Sequence, residues 1–105
     1  MRVGVAYRSS IKHRIEGDAS MYGQAKTTFT KIRHMVEAAG GKMDDIIEMT
    51  IYVTDIKNNT KVWKARAEFF KGNFPASTLV EVSALAAPEI LVEIEAIAHI
   101  GKGPR

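Results

Sequence analysis

Four segments of this chain alternate apolar and polar side chains at every second residue, while two others repeat apolar residues at steps of three and four. That combination constrains the fold more than any other feature, because the first period belongs to strands and the second to helices. Residues 2–10 set Val3, Val5 and Tyr7 against Arg2, Gly4 and Arg8. Residues 46–54 set Ile47, Met49, Ile51 and Val53 against Glu48, Thr50, Tyr52 and Thr54. Two more strands are predicted over about residues 77–84 and 90–100, with Pro75 at the entrance of the former, where its missing N–H does no harm. The first helix is predicted from a cap at Asp18 or Ser20 to Ala39, striped by Met21, Ala25, Phe29, Ile32, Met35 or Val36, and Ala39. Gly40-Gly41 supplies its left-handed stop. The second helix spans about residues 60–71, with Val62, Ala65 or Arg66, Phe69 and Phe70 turned inward.

The order is therefore β, α, β, α, β, β. It predicts an α+β fold, a mixed sheet with two helices packed on one face, in one domain over residues 1–105 with a frayed tail at 100–105. Two one-sided helices cover one sheet face, so the other is either wet or buried by another subunit. Alternation puts Val80 and Val82 with Val92, Ile94, Ala96 and Ala98 toward the helices. It puts Leu79, Glu81, Ser83 and Leu85 with Leu91, Glu93, Glu95 and Ile97 on the opposite face. Three glutamates among leucines suit neither a monomer core nor plain solvent, and the mixture fits a surface shared between symmetric copies; a solvated outer face is the alternative.

At 105 residues the chain has room for one domain, and 46% hydrophobic with 26% charged residues is the balance of a globular protein. No apolar run approaches the roughly 20 residues that span a bilayer, and the start is not a secretory signal, so no membrane partner and a cytoplasmic location are expected. The absence of cysteine removes thiolate chemistry and disulfides. His13, His34 and His99 show no spacing suited to a metal, there is no phosphate loop, and no metal or cofactor is expected. The net charge of +3 is scattered, without basic runs interleaved with aromatics, so nucleic acid is not an expected partner.

F-P-A-S-T-L-V-E-V-S-A-L at residues 74–85 and L-V-E-I-E-A-I-A at 91–98 resemble the C-terminal signature of the RidA superfamily, also called the YjgF/YER057c/UK114 family. V-E-A-A-G-G, D-D-I-I-E-M-T-I-Y-V-T-D and A-E-F-F are similar to the same family in the same order, over about residues 24–98. The resemblance implies a chorismate-mutase-like fold and a homotrimer with a central barrel. It implies small-molecule ligands in clefts between subunits and, in the best-known branch, enamine or imine deamination; some relatives are described as ribonucleases. In that branch the signature reads F-P-A-R, and the arginine grips a substrate carboxylate; here the position is Ser77. A charge-assisted bidentate pair is worth roughly 1.5–3 kcal/mol, which a hydroxyl recovers only in part. If only the arginine is missing, Ser77→Arg is expected to raise activity on 2-imino acids.

Trp63 stands where the family has a cleft asparagine, the family's G-P-Y element at the start has no counterpart, and Ser9-Ser10 resembles a shifted S-G cleft element. Glu93 matches the glutamate that orients water or the leaving amine, with Glu95 or Glu81 as neighbours able to raise its pKa. Glu93 is thus the catalytic candidate, and Ser77, Thr78, Trp63, Ser10 and Glu95 are the ligand-binding candidates. Interface hydrogen bonding is the competing role for the glutamates, packing for Trp63 and a turn for the serines. Three functions stay open: metabolite binding without the arginine-dependent activity, an imine or enamine deaminase with an altered substrate or an anion held by Arg8 or Arg66, and RNA binding or cleavage.

Overall fold

The computed structural model describes residues 2–6 by their backbone and residues 20–70 and 74–100 with side chains. Its elements run β1 (Arg2–Ala6), α1 (Met21–Ala38), β2 (Ile46–Val53), α2 (Asn59–Phe69), β3 (Ala76–Glu81) and β4 (Val92–Ala98), with 3₁₀ turns at Met43–Asp45 and Ile56–Asn58. The sheet order is β1-β4-β2-β3. β4 pairs antiparallel with both β1 and β2, whereas β2 and β3 are parallel because α2 carries the chain back between them. The α+β order expected from the alternation is the order found; the strand expected at 7–10, the cap at Asp18 and the tail at 101–105 lie outside the described residues, and the second helix, expected to run to about 71, ends at Phe69, with Phe70 already extended.

Ser20 caps α1: its hydroxyl accepts a hydrogen bond from the Gly23 N–H at 3.1 Å. Met21, Ala25, Phe29, Ile32 and Val36 form the buried stripe; of the two residues that could continue it, Val36 is inside and Met35 outside, and Ala39, expected at its end, is the exposed C-cap. Gly40 ends the helix with φ 87°, the left-handed conformation that the Gly-Gly pair predicts. Phe29 stacks on Phe69 at 5.5 Å between ring centroids and meets Phe70 edge-on at 6.2 Å, which ties the two helices together. Gln24, fully buried, spans from α1 to the segment before β4: its amide donates to the Glu89 carbonyl (2.9 Å) and accepts from the Leu91 N–H (2.8 Å). The core lies between this helix layer and Met49, Ile51, Val53, Val92, Ile94, Ala96 and Ala98 on the sheet.

Two face assignments change. The β2–β4 register shifts between Ile46 and Glu48, so Ile46 is buried while Ile47, expected inside with Met49, is 39% exposed. A bulge places two consecutive residues outward and resets the alternation. In β3 the whole phase inverts. Met49, Ile51 and Val53 pair with Ser77, Leu79 and Glu81, and paired residues of adjacent strands share a face. Ser77, Leu79 and Glu81 therefore face the helices, and Leu79 packs on the core. Ala76, Thr78 and Val80 face the other way. Glu81 joins no carboxylate cluster; its Oε1 accepts from the Ile56 N–H at 2.9 Å, at the turn that leads into α2. The register against β2, rather than β3's own valines, sets the phase.

Candidate functional site

The expected site residues divide between two faces of the sheet. On the face away from the helices, β4 presents Glu93, Glu95 and Ile97, all half-buried, to its neighbour β2. Glu93 lies opposite Tyr52, and Tyr52 opposite Val80; Glu95 lies opposite Thr50, and Thr50 opposite Thr78. Two rows thus cross three strands, one with a carboxylate beside a phenol, the other with a carboxylate beside two hydroxyls. On the far side, positions Gly4 and Ala6 of β1 pair with Glu95 and Glu93. Glu95 is the neighbour of Glu93 on this face, about 7 Å along the strand; Glu81, proposed from the sequence as a second, points to the other side.

On the helix-facing side at the edge of the sheet, Ser77 of β3 and Trp63 of α2 each contact Arg66, also of α2. Arg66 Nη1 donates to Ser77 Oγ at 3.1 Å, and Ser77 Oγ donates to the Pro75 carbonyl at 3.1 Å. The guanidinium carbon of Arg66 lies 4.4 Å from the Trp63 ring centroid and 4.5 Å from that of Phe74. One helical turn separates Trp63 from Arg66, so α2 sets both side chains on one face, and Phe74 reaches Arg66 from the segment just before β3. Burial pulls the Arg66 pKa below its ordinary value, yet a guanidinium stays charged at neutral pH. Its Nε is buried and has no hydrogen-bond acceptor among the described residues. The sequence alone offers Arg66 only as a possible core position or anion holder, because its contact with Ser77 arises from the parallel β2–β3 register. Trp63 combines both sequence readings, packing partly on the core and flanking a cation.

Other polar clusters serve the helix surface. The Tyr22 hydroxyl donates to Glu68, which also pairs with Lys26 at 3.6 Å, while Lys64 Nζ sits 4.8 Å from the Tyr22 ring. The Tyr22 hydrogen bond above all holds the Glu68 carboxyl below its ordinary value; desolvation opposes it, and Lys26 and then Lys64 add to the lowering. Among the described residues no group of three or more His, Asp or Glu side chains is placed to hold a metal, and no helix is long and apolar enough to cross a membrane. A cavity of about 330 Å³ between Thr54, Ser83, Leu85, Pro88 and Ile90, and one of about 210 Å³ at Lys42, Met43, Asp44 and Phe69, both leave the expected site residues untouched. Ser10 and His13 lie outside the described residues.

A family model described as Endoribonuclease L-PSP matches residues 6–100. Among solved structures, a Pseudomonas aeruginosa protein of unknown function is 37% identical, with a TM-score of 0.83 over 96% of this chain and 74% of that one. A member of the YjgF/YER057c/UK114 family from Mycobacterium tuberculosis is 32% identical, with a TM-score of 0.80 over 93% and 75%. A Yersinia pestis protein of unknown function from the conserved Rid family is 38% identical, with a TM-score of 0.74 over 80% and 67%.

Proposed function

The chain belongs to the Endoribonuclease L-PSP family, the YjgF/RidA family, and on that basis we propose that it is a cytoplasmic homotrimer that binds a small metabolite in clefts between subunits, without the arginine-dependent handling of 2-imino acids. The observation that carries this reading is the separation of Ser77 from Glu93. They lie on opposite faces of one sheet, with β2 between their strands. Two strand spacings amount to about 9.5 Å before the thickness of the sheet is added, so a small molecule cannot touch both within one chain. Two copies can supply one group each, and the half-buried Glu93 face with Tyr52, Thr50 and Ile97 has the mixed chemistry of such an interface.

Light scattering is the first test: the expected mass is that of three chains, and a monomer at micromolar concentration overturns the cleft. Ammonia release from freshly generated imines is the second. With Ser77 in place of the strand arginine, the charge-assisted pair at position 77, worth roughly 10- to 150-fold in affinity for 2-imino acids, is lost. Glu93 supports a second reading, hydrolysis of imines that carry no carboxylate, because it keeps a half-buried carboxylate on the open face. Release from such imines that disappears in Glu93→Ala supports that reading, and no release from any imine removes it.

A further inference from the structure

We propose that the anion-binding group of this protein has moved from the strand to the helix: Arg66, seated on the Ser77 hydroxyl and flanked by Trp63 and Phe74, binds the carboxylate of a small organic acid. The proposal rests on the reading that a metabolite binds beside Ser77 and names its chemical class. A guanidinium has five N–H donors in a rigid fork. One of them is spent on Ser77 Oγ, and that hydroxyl is itself fixed because its own hydrogen goes to the Pro75 carbonyl. The buried Nε has no acceptor, and no carboxylate lies within ion-pair distance of Arg66 among the described residues. Glu68, the acidic residue two positions along α2, is engaged by Tyr22 and Lys26. A partly desolvated cation without an anion is the costly arrangement, and a carboxylate arriving from outside relieves it with paired N–H···O bonds.

The two aromatic rings at 4.4 and 4.5 Å flank the guanidinium and reduce its contact with water, which strengthens each bond to an arriving anion. Ser77 is small enough to admit Arg66; a long cationic side chain there would occupy the same space and repel it. The competing structural role is plain: a cation in the last turn of α2 also complements the helix dipole and packs on aromatics. That role predicts no ligand.

Trp63 is the single tryptophan of the chain, so its emission reports directly on Arg66. The test titrates the full-length protein with benzoate and, as a neutral isostere, benzamide, by tryptophan fluorescence and calorimetry. Expected is saturable binding of benzoate at least about 10-fold tighter than of benzamide, weakened by added salt. Arg66→Gln should lose about 10-fold or more in benzoate affinity, and Arg66→Lys, which keeps the charge without the fork, should fall between. Circular dichroism melts establish that both variants remain folded; if Arg66→Gln does not fold, the benzoate-to-benzamide ratio of wild type and Arg66→Lys decides. Equal binding of acid and amide, or benzoate binding unchanged in Arg66→Gln, overturns the proposal. A trimer that ignores benzoate refutes this inference alone, while a monomer that binds benzoate through Arg66 refutes the intersubunit cleft and leaves the anion site standing.

Discussion

Ser77→Arg is the substitution that family resemblance recommends for restoring 2-imino-acid activity, and the structure predicts that by itself it fails. Ser77 Oγ already lies 3.1 Å from Arg66 Nη1. A guanidinium growing from position 77 enters the space of another, and charges 4–6 Å apart at an effective dielectric near 20 repel by about 3–4 kcal/mol. Arg66 is partly exposed and both side chains can rotate toward solvent, so screening leaves about 1–2 kcal/mol. For a domain of this size that lowers Tm by about 5–15 °C. Thermal melts followed by circular dichroism, at about 0.05 and 0.5 M salt, check it: the Ser77→Arg deficit should shrink at high salt, where the Debye length falls to a few ångströms. The double substitution Ser77→Arg with Arg66→Ser exchanges the two positions and should recover most of the loss. It, rather than the single variant, should gain activity on carboxylate-bearing imines. A Ser77→Arg protein that melts with wild type at both salt concentrations refutes the electrostatic coupling of the two positions.

Gln24→Ala removes the amide that pairs the Glu89 carbonyl and the Leu91 N–H from inside the core, and stranding those groups should cost about 2–3 kcal/mol, read as a lower urea midpoint with an unchanged slope. Tyr22→Phe deletes the main cause of the lowered Glu68 pKa, so NMR titration should show that carboxyl moving up toward the ordinary range. The sign follows from linkage: with a lowered folded-state pKa, the stabilisation from Glu68 is present above the unfolded pKa and fades as pH falls through the folded one, so Tyr22→Phe narrows that acid window.

Much of the architecture was legible because it depends on local periodicity. The stripe Met21, Ala25, Phe29, Ile32, the cap at Ser20 and the left-handed Gly40 are short-range consequences of side-chain spacing and backbone preference, and each stands where the spacing puts it. The order of elements along the chain and the inward face of Val92, Ile94, Ala96 and Ala98 follow in the same way. Ile47 and β3 were misread for one reason: alternation within a strand defines two faces but does not say which is inside once a bulge or a neighbour's register intervenes.

The sequence by itself determined two one-sided helices, four strands, an uncovered acidic face bearing Glu93, and a serine at position 77 where the family signature carries arginine. Tertiary structure alone decided that Ser77 faces α2, that Glu93 and Ser77 lie on opposite sides of the sheet, and that Arg66 reaches the hydroxyl between two aromatic rings. The physical reason is the range of the interactions. Helix stripes and strand alternation are written in residues a few positions apart, whereas Arg66 and Ser77, eleven positions apart on different elements, meet only because the parallel pairing of β2 with β3 sets the phase of the edge strand.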